Sequence, residues 1–456
     1  MLSAEDTSIL CRVGRGTPMG ELMRRYWLPV GYSWEFEAEG QPQRVRVLGE
    51  DLLAWRDAAG TLSFIEAHCP HRGAGLYYGR VDGMGLRCAY HGWTYDATGQ
   101  CIDMPNEPAE SNFRAKVRAK AYRGADYGGA SWIYMGADQE DPPEVPHFEW
   151  GMVPQENVSH AQKIVYQCNW MQALEGELDS THVYFLHTRL NPDDSPRYGL
   201  YHNDKRARFH IVDREYGFTY GAERDELDGN VYWRTTQFLF PIYGMFPGQD
   251  GVVPLSMYTP IDDHHTLHMG VWWRPVGEMP GAGRPRGAIA DEPGVLSPGV
   301  GPMRPEQHGK FFAKWWPQAA LDTDFLMNEE AKKTKNMTGI PTVRLQDSAV
   351  IHSMGPIMDR TREHLGTTDV SIIRARRMLI RAALALQEHG TPPPGALRPE
   401  MYHVRSCATI LPPGADWERE LAGWHNCRTT EFPKLLAEAD RPFRERALPG
   451  QPEYRA

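Results

Sequence analysis

Two cysteines and two histidines stand in two short clusters, Cys69-Pro-His71 and Cys88-Ala-Tyr-His91, with sixteen residues between them. Each cluster fits one tight loop, and two such loops can close on one metal centre from opposite sides. A structural zinc would take all four donors tetrahedrally. A 2Fe–2S centre of mixed ligation would place both cysteines on one iron and both histidines on the other. His68 precedes the first ligand directly. Neighbours on a tight loop point different ways, so His68 reads as structural or exposed.

A second constellation is Asp179-Ser-Thr-His182-Val-Tyr-Phe-Leu-His187. Asp179 and His182 are three apart, on one face of a helix and within hydrogen-bonding reach. His182 and His187 are five apart, which on an ideal helix turns them about 140° away from each other. They share a metal only if the helix ends or bulges between them, a π-bulge being the usual device. Two histidines and one carboxylate with open positions form the facial triad of non-haem iron(II) oxygenases. The carboxylates within reach of such a site by sequence are Glu175, Glu177, Asp322, Asp324, Glu329, Glu330 and Asp347. Spacing does not choose among them.

The Cys-x-His and Cys-x2-His spacings are unlike a zinc finger, and the flanks Arg72-Gly73 and Gly92-Trp93-Thr94-Tyr95-Asp96 match Rieske loops. The whole chain resembles the oxygenase (alpha) subunit of Rieske non-haem iron ring-hydroxylating oxygenases, in the phthalate 4,5-dioxygenase-like branch. The residues that carry this are Pro18-Met19-Gly20-Glu21-Leu22-Met23-Arg24-Arg25, both Rieske loops, Cys168-Asn169-Trp170 and Leu174-Glu175-Gly176. Gln346-Asp347, Met354-Gly355-Pro356-Ile357, Asp359-Arg360 and Glu363-His364-Leu365-Gly366 continue it.

The resemblance implies a Rieske 2Fe–2S cluster on Cys69, His71, Cys88 and His91, and a mononuclear Fe(II) on His182, His187 and Asp347. It implies Asp179 as a bridge between His182 and His91 of a neighbouring subunit, in a head-to-tail homotrimer or a dimer of trimers. Many wider-family members carry Asn after the Glu of this helix; here it is Gly176, as in the phthalate-like branch. Arg208 and Arg234 match carboxylate-binding positions of phthalate-type enzymes. The implied substrate is a small aromatic acid, oxidised with O2 by cis-dihydroxylation or by O-demethylation. An O- or N-demethylating monooxygenase of a methoxylated or N-alkyl aromatic is the alternative, and a Rieske electron carrier the more distant one. No G-x-G-x-x-G follows a strand, so no nicotinamide or flavin site is read here. Electrons must then come from a separate NAD(P)H-dependent reductase.

These groups need a scaffold, and 456 residues supply one. The fold class reads as α+β: a small antiparallel β domain plus a larger antiparallel sheet covered by helices, of helix-grip type. The organisation is a helical arm over 1–26, a Rieske domain over 27–145 and a catalytic domain over 146–456. In the first of these domains a turn is expected at Glu50-Asp51 between short strands. Residues 165–188 read as mainly helical. Three β stretches follow, from Arg208 to Ala222, Asn230 to Met245 and Leu255 to Arg274. Pro275 to Pro305 is a Pro/Gly-rich segment of lid, arm or insertion type. Segments 306–337 and 369–389 read as helices, the latter ending at Gly390. Trp315-Trp316 reads as core or interface.

Composition excludes other classes. Lys plus Arg number 49 and Asp plus Glu 59, a net charge of −10, against nucleic-acid or anionic-membrane binding. No apolar run approaches the ~18–20 residues that span a bilayer. Seven cysteines are too few for a disulfide scaffold, and no basic-then-apolar leader opens the chain. A reducing cytoplasm is therefore expected. Cys11, Cys101, Cys168, Cys407 and Cys427 read as packed or free thiols. Asp262-Asp263-His264-His265, with His268, reads as exposed polarity at a strand turn.

Overall fold

The computed structural model describes residues 1–108, 110–188, 190, 204–225, 229–248, 251–279, 296–297, 301–305, 310–312, 314–431 and 433. Two short helices, α1 (Ala4–Cys11) and α2 (Pro18–Met23), open the chain. Ser3 and Thr17 cap them by accepting from Asp6 and Gly20 amides. Strands β1 (Trp27–Tyr32), β2 (Gln43–Val47), β3 (Glu50–Arg56) and β4 (Leu62–Glu66) come next. The β2–β3 hairpin closes on Leu48 and Gly49, both at positive φ (49° and 79°), with Val47 opposite Glu50. Two left-handed residues match the twist of a two-residue hairpin. The turn thus precedes Glu50-Asp51, which begin β3 instead.

Strands β5 (Arg80–Asp82), β6 (Gly85–Arg87), β7 (Thr94–Tyr95) and β8 (Cys101–Asp103) form a small four-stranded sheet. With β9 (Ala121–Tyr127) and β10 (Ala130–Tyr134), the earlier strands make a six-stranded antiparallel sheet in the order β1-β10-β9-β4-β3-β2. Its inner strands bury both faces. Leu53, Trp55 and Ile65 pack under the small sheet with Cys69 and Cys88. Leu52, Ala54 and Phe64 join the main core on the other side. That is why β3 and β4 read as continuous apolar runs rather than alternating ones.

The larger sheet runs β11 (Val158–Tyr166), then β12 (Arg208–Arg214), β13 (Gly217–Asp225), β14 (Val231–Leu239), β15 (Tyr243–Met245), β16 (Val253–Pro260) and β17 (Thr266–Trp273) along the chain. Its order is β11-β17-β16-β15-β14-β13-β12; beyond a short hairpin of β18 (Leu296–Ser297) and β19 (Gly301–Pro302), β20 (Cys407–Leu411) also pairs β14. Each of the three long β stretches of the sequence is in fact two strands, broken at Glu215-Tyr216, at Phe240-Pro241 and at Asp262–His265.

The two faces of this sheet have different neighbours, because successive side chains alternate. One face meets the first sheet: Thr259 donates to the Pro29 carbonyl at 2.7 Å and Tyr243 to the Trp27 carbonyl at 3.1 Å. The other face carries α3 (Trp170–Leu178), to which Tyr258 and Ser256 donate through Glu177 (2.5 and 2.8 Å). Beyond a short α4 (Glu329–Thr334), α5 (Val343–Ser353) lies beside α3. The long α6 (Val370–His389) buries Ala375, Leu379 and Ala383 along one stripe and packs on α1 and α2. Gly390, at φ 68°, ends it as expected. Helix α7 (Trp417–His425) stands against the sheet through a stack of Trp417 on Trp233.

Two helical expectations change. Residues 158–166 are strand, and the helix after them is only Trp170–Leu178. In 306–337 the described α-helix is Glu329–Thr334, after a turn whose Asp324, Phe325 and Leu326 sit at positive φ. The aromatic spacing there reflects packing on two separate cores: Phe311 on the small sheet's cluster, Phe312 and Trp315 on Val165 and Ile261. Most of Pro275–Pro305 lies outside the described residues. No helix among the described residues is long and apolar enough to cross a membrane.

Candidate metal centres

The two Cys/His loops repeat one hydrogen-bond pattern. The Cys69 amide donates to the Ala74 carbonyl and the Cys88 amide to that of Trp93, each at 2.8 Å. The Cys69 carbonyl accepts from Gly73 at 2.9 Å, and that of Cys88 from Gly92 at 3.0 Å. Gly73 and Gly92 have φ of 74° and 77°, which side-chain-bearing residues rarely adopt. Two near-identical turns thus face each other across one site. The rings of His71 and His91 are 4.7 Å apart, and His71 stacks on Trp93 at 4.1 Å. His68 is exposed, as its position on the loop suggested.

The donors fit an iron–sulfur centre. Cys69 and Cys88 are buried, and burial pushes the Cys69 thiol up. A dry thiol becomes a thiolate only when a cation binds it. His91 Nδ1 is buried with no hydrogen-bond partner among the described residues, an orphan that a metal would satisfy. The Tyr95 hydroxyl lies 3.1 Å from Cys69 Sγ. The other five cysteines are free, four of them buried.

The second site gathers at the end of α3. That helix stops at Leu178, and Asp179 has already left helical geometry at φ −93°, ψ 109°. His182 starts a separate 3-10 turn, His182–Tyr184. No π-bulge is needed, because the chain ends its helix before either histidine. Asp179 Oδ1 accepts from the Thr181 amide and hydroxyl (both 2.7 Å) and from the His182 amide (3.3 Å). Its Oδ2 faces His182 Nδ1 at 3.6 Å.

Asp347, from α5, completes the group. Its Oδ1 is 3.1 Å from His187 Nε2 and 3.5 Å from His182 Nε2. Metal-ligand atoms of His182, His187 and Asp347 all lie within 4.8 Å of one another. Burial pushes the Asp347 carboxyl up, but His187, then His182, outweigh it and hold it below the usual range. The donor set is therefore two imidazoles and an ionised carboxylate. The other carboxylates of the sequence list are elsewhere engaged or exposed. Glu175 takes Arg360 and Arg376, Glu177 takes Arg344, and Asp322 takes Arg304. Glu329 and Glu330 open α4 in solvent.

Two flanking residues position this set. Gln346 Oε1 is 2.8 Å from His187 Nδ1, and its Nε2 donates to the Ile340 carbonyl at 3.1 Å. Arg344, three residues before Asp347, donates to Glu177 at 2.9 Å and Gln162 at 3.0 Å. The sequence offered Gln346 only as the neighbour of Asp347 and gave no sign of the Arg344–Glu177 pair.

Sheet register sorts the arginines. Ala222 pairs with Arg234 and Arg224 with Tyr232, while Tyr220 on the same face reaches the Leu178 carbonyl at 2.9 Å. Arg224 and Arg234 therefore face α3. Arg208 pairs with Glu223 in register and points to the opposite face, where Glu223 (3.1 Å) and Asp225 (2.5 Å) hold it at the exposed edge. The structure takes Arg208 away from the iron site. Arg224, which the sequence did not single out, is fully buried and donates to Ser180 O at 2.8 Å. Its Nε and Nη1 have no hydrogen-bond partner among the described residues. Burial, then the Arg234 cation, lowers its pKa to about 9.

His268 also departs from expectation: it is buried between Tyr166 and Tyr258, not exposed at the turn.

A family model described as the Rieske [2Fe-2S] domain matches residues 26–120, and one described as LigXa C-terminal domain like matches 133–432. Over 427 residues the chain is 35% identical to the 3-chlorobenzoate-3,4-dioxygenase oxygenase subunit of Comamonas testosteroni, covering 92% of this chain and 97% of that one. It is 35% identical over 400 residues to the phthalate 4,5-dioxygenase oxygenase subunit of Pseudomonas putida (85% and 87% covered). The 5,5'-dehydrodivanillate O-demethylase oxygenase subunit of Sphingobium sp. is 34% identical over 390 residues (84% and 80%). A solved structure of dicamba monooxygenase bound to dicamba superposes with a TM-score of 0.54 at 15% identity, covering 80% of this chain and 98% of that one.

Proposed function

The chain belongs to the Rieske non-haem iron oxygenases, as an oxygenase subunit, and from that premise we propose that it oxidises an aromatic carboxylic acid. The fold is a Rieske β domain with a sheet-rich catalytic domain, the cofactors are a 2Fe–2S cluster and a mononuclear iron, and electrons come from a separate component.

The observation that carries the substrate class is Arg224. A fully buried guanidinium with two unpartnered nitrogens, beside a second buried arginine on the iron-facing side of the sheet, is costly until an anion binds it. A carboxylate is the matching partner, through bidentate charged hydrogen bonds. Relatives named for 3-chlorobenzoate and for phthalate agree with this reading. In it, Arg224 and Arg234 hold the acid group and Arg208 takes no part.

Cys69, Cys88, His71 and His91 would hold the cluster, and His182, His187 and Asp347 the mononuclear iron. The iron supplies O2 activation when bound. Gln346 keeps the His187 ring turned so that Nε2 faces the site, and Asp179 does the same for His182. Asp179 would also reach His91 of a neighbouring subunit in a head-to-tail trimer. Exposed aromatics support such an interface at both ends: Tyr90 beside His91 and Phe185 beside His182 are each more than half exposed.

Ring cis-dihydroxylation and O-demethylation are both compatible with the site; relatives named as a dioxygenase and as an O-demethylase are 35% and 34% identical to this chain. A panel of benzoates with and without methoxy groups, assayed for cis-diols and for formaldehyde, decides between them. Iron analysis with EPR tests the centres: three irons per chain, two of them in the cluster, are expected. Turnover of neutral aromatics at the rate of acids would overturn the substrate class.

A further inference from the structure

A cavity lies where the two large sheets meet, on the sheet face turned away from α3 and α5. Including its solvent-open mouth it holds about 770 Å³. Strand β11 separates it from the catalytic side. Lys163 and Val165 line the cavity, while the alternate residues Gln162 and Tyr166 lie beside Arg344 on the iron-facing side. The segment carrying Trp315 forms the outer wall, fixed where the Val165 amide donates to the Trp315 carbonyl at 2.8 Å.

Its charge is opposite to that of the chain. Five cations (Arg44, Arg46, Lys163, Lys310 and Lys314) line it against one acid, Glu35, in a protein whose net charge is −10. Some of that charge is already met. Glu35 takes both its bonds from Lys163 at 2.7 Å, and Arg46 pairs with Asp51 and Asp262. Arg44 and Lys310 have no carboxylate partner among the described residues. The rest of the wall is mostly apolar, part aliphatic and part aromatic. The Arg44 Cζ lies 3.3 Å over the Tyr77 ring centre, Phe312 stands 5.3 Å from the Arg46 guanidinium, and Phe311 and Trp315 add further aromatic surface. Flat apolar walls with unpaired cations at the rim suit a planar ring bearing a negative charge.

We infer that this cavity is a second ligand site, binding a small aromatic carboxylate with its ring among Tyr77, Phe311 and Phe312 and its acid group on Arg44 and Lys310. It is separate from the catalytic pocket and shares no residue with the metal-binding groups. The concave seat between two sheets fits one ring rather than a protein surface.

The test is equilibrium dialysis of labelled benzoate against the iron-loaded holoenzyme and its Arg44→Gln/Lys310→Gln variant. Both positions are at the surface of the cavity, and the visible spectrum of the cluster reports that the variant is intact. The expected result is one benzoate per chain fewer in the variant, or a Kd for that site raised at least tenfold. Equal binding by the two proteins, at any stoichiometry, overturns the inference. Because only the difference is scored, absence of benzoate from the catalytic pocket would count against the substrate class without touching this site. Cyclohexanecarboxylate, equal in charge but without the aromatic face, is expected to bind the cavity at least tenfold more weakly. Equal affinity of the two acids would overturn the aromatic part of the assignment.

Discussion

Gln346 accepts from the Nδ1 side of His187 at 2.8 Å, and its chain neighbour Asp347 presents a carboxylate oxygen 3.1 Å from the Nε2 side of the same ring. One turn of α5 therefore grips both edges of one imidazole. A glutamine carbonyl there requires the proton on Nδ1 and leaves Nε2 free as a donor to metal. Gln346→Leu is expected to weaken mononuclear iron binding by about 10–100-fold, while Gln346→Glu retains most of it. Iron titration of the apo-site, with the cluster's EPR signal as internal standard, measures this. Unchanged affinity in the leucine variant would remove the orienting role.

Asp179 uses Oδ1 to build the turn at Thr181 and His182 and turns Oδ2 toward the His182 ring. Asparagine can keep one amide-accepting oxygen but loses the charge. Asp179→Asn is expected to retain three irons per chain and to lose turnover by about 100-fold. Single-turnover assays with a chemically reduced cluster locate the loss. Normal turnover in this variant would sink the proposed bridge.

Arg234→Gln should raise KM for an aromatic acid by roughly 10–100-fold, the worth of one charge-assisted hydrogen bond of ~1.5–3 kcal/mol. The corresponding amide should be affected far less. Arg208→Ala, on the opposite sheet face, should leave both values unchanged. Steady-state kinetics on the acid and amide pair checks all of this, and a KM effect from Arg208→Ala alone would reverse the assignment of faces.

The Tyr95 hydroxyl stands 3.1 Å from Cys69 Sγ. Donation to a cluster sulfur favours the reduced state, which carries more negative charge. Tyr95→Phe is expected to lower the cluster potential by about 40 mV, taking ~1 kcal/mol for the bond and 59 mV per tenfold for one electron. Spectroelectrochemical titration reads it directly. A potential that stays put would mean the hydroxyl hydrogen points elsewhere.

What the sequence made legible was mainly local. Each Rieske loop holds its ligands and its left-handed glycine within five residues, so short-range chemistry fixes it. Gly390 and the 370–389 helix were readable for the same reason. The errors arise where distant packing decides. Phe311, Phe312 and Trp315 mimic a helical stripe because two cores, one on each domain, take them in turn. Arg208 and Arg234 look equivalent in the chain, yet a register offset puts them on opposite sides of one sheet. Spacing left seven carboxylates as candidates for the third position of the His182/His187 group. Asp347 was separable only by resemblance, because the ion pairs that occupy Glu175 and Glu177 come from Arg360, Arg376 and Arg344, more than 160 residues downstream.

Gly176 sits where many wider-family members carry asparagine, and a Cβ built there would meet Ile351 Cδ1 at 3.0 Å. Ile351 belongs to α5, the helix that delivers Asp347. The glycine is therefore more than a missing functional group: the tip of a side chain on the neighbouring helix crowds the space an asparagine Cβ would take. A Cβ at this position would have to turn the Ile351 terminal methyl aside by a few tenths of an ångström. A side chain introduced at 176 is thereby coupled to the one at 351, and through it to the packing of the helix that carries Asp347.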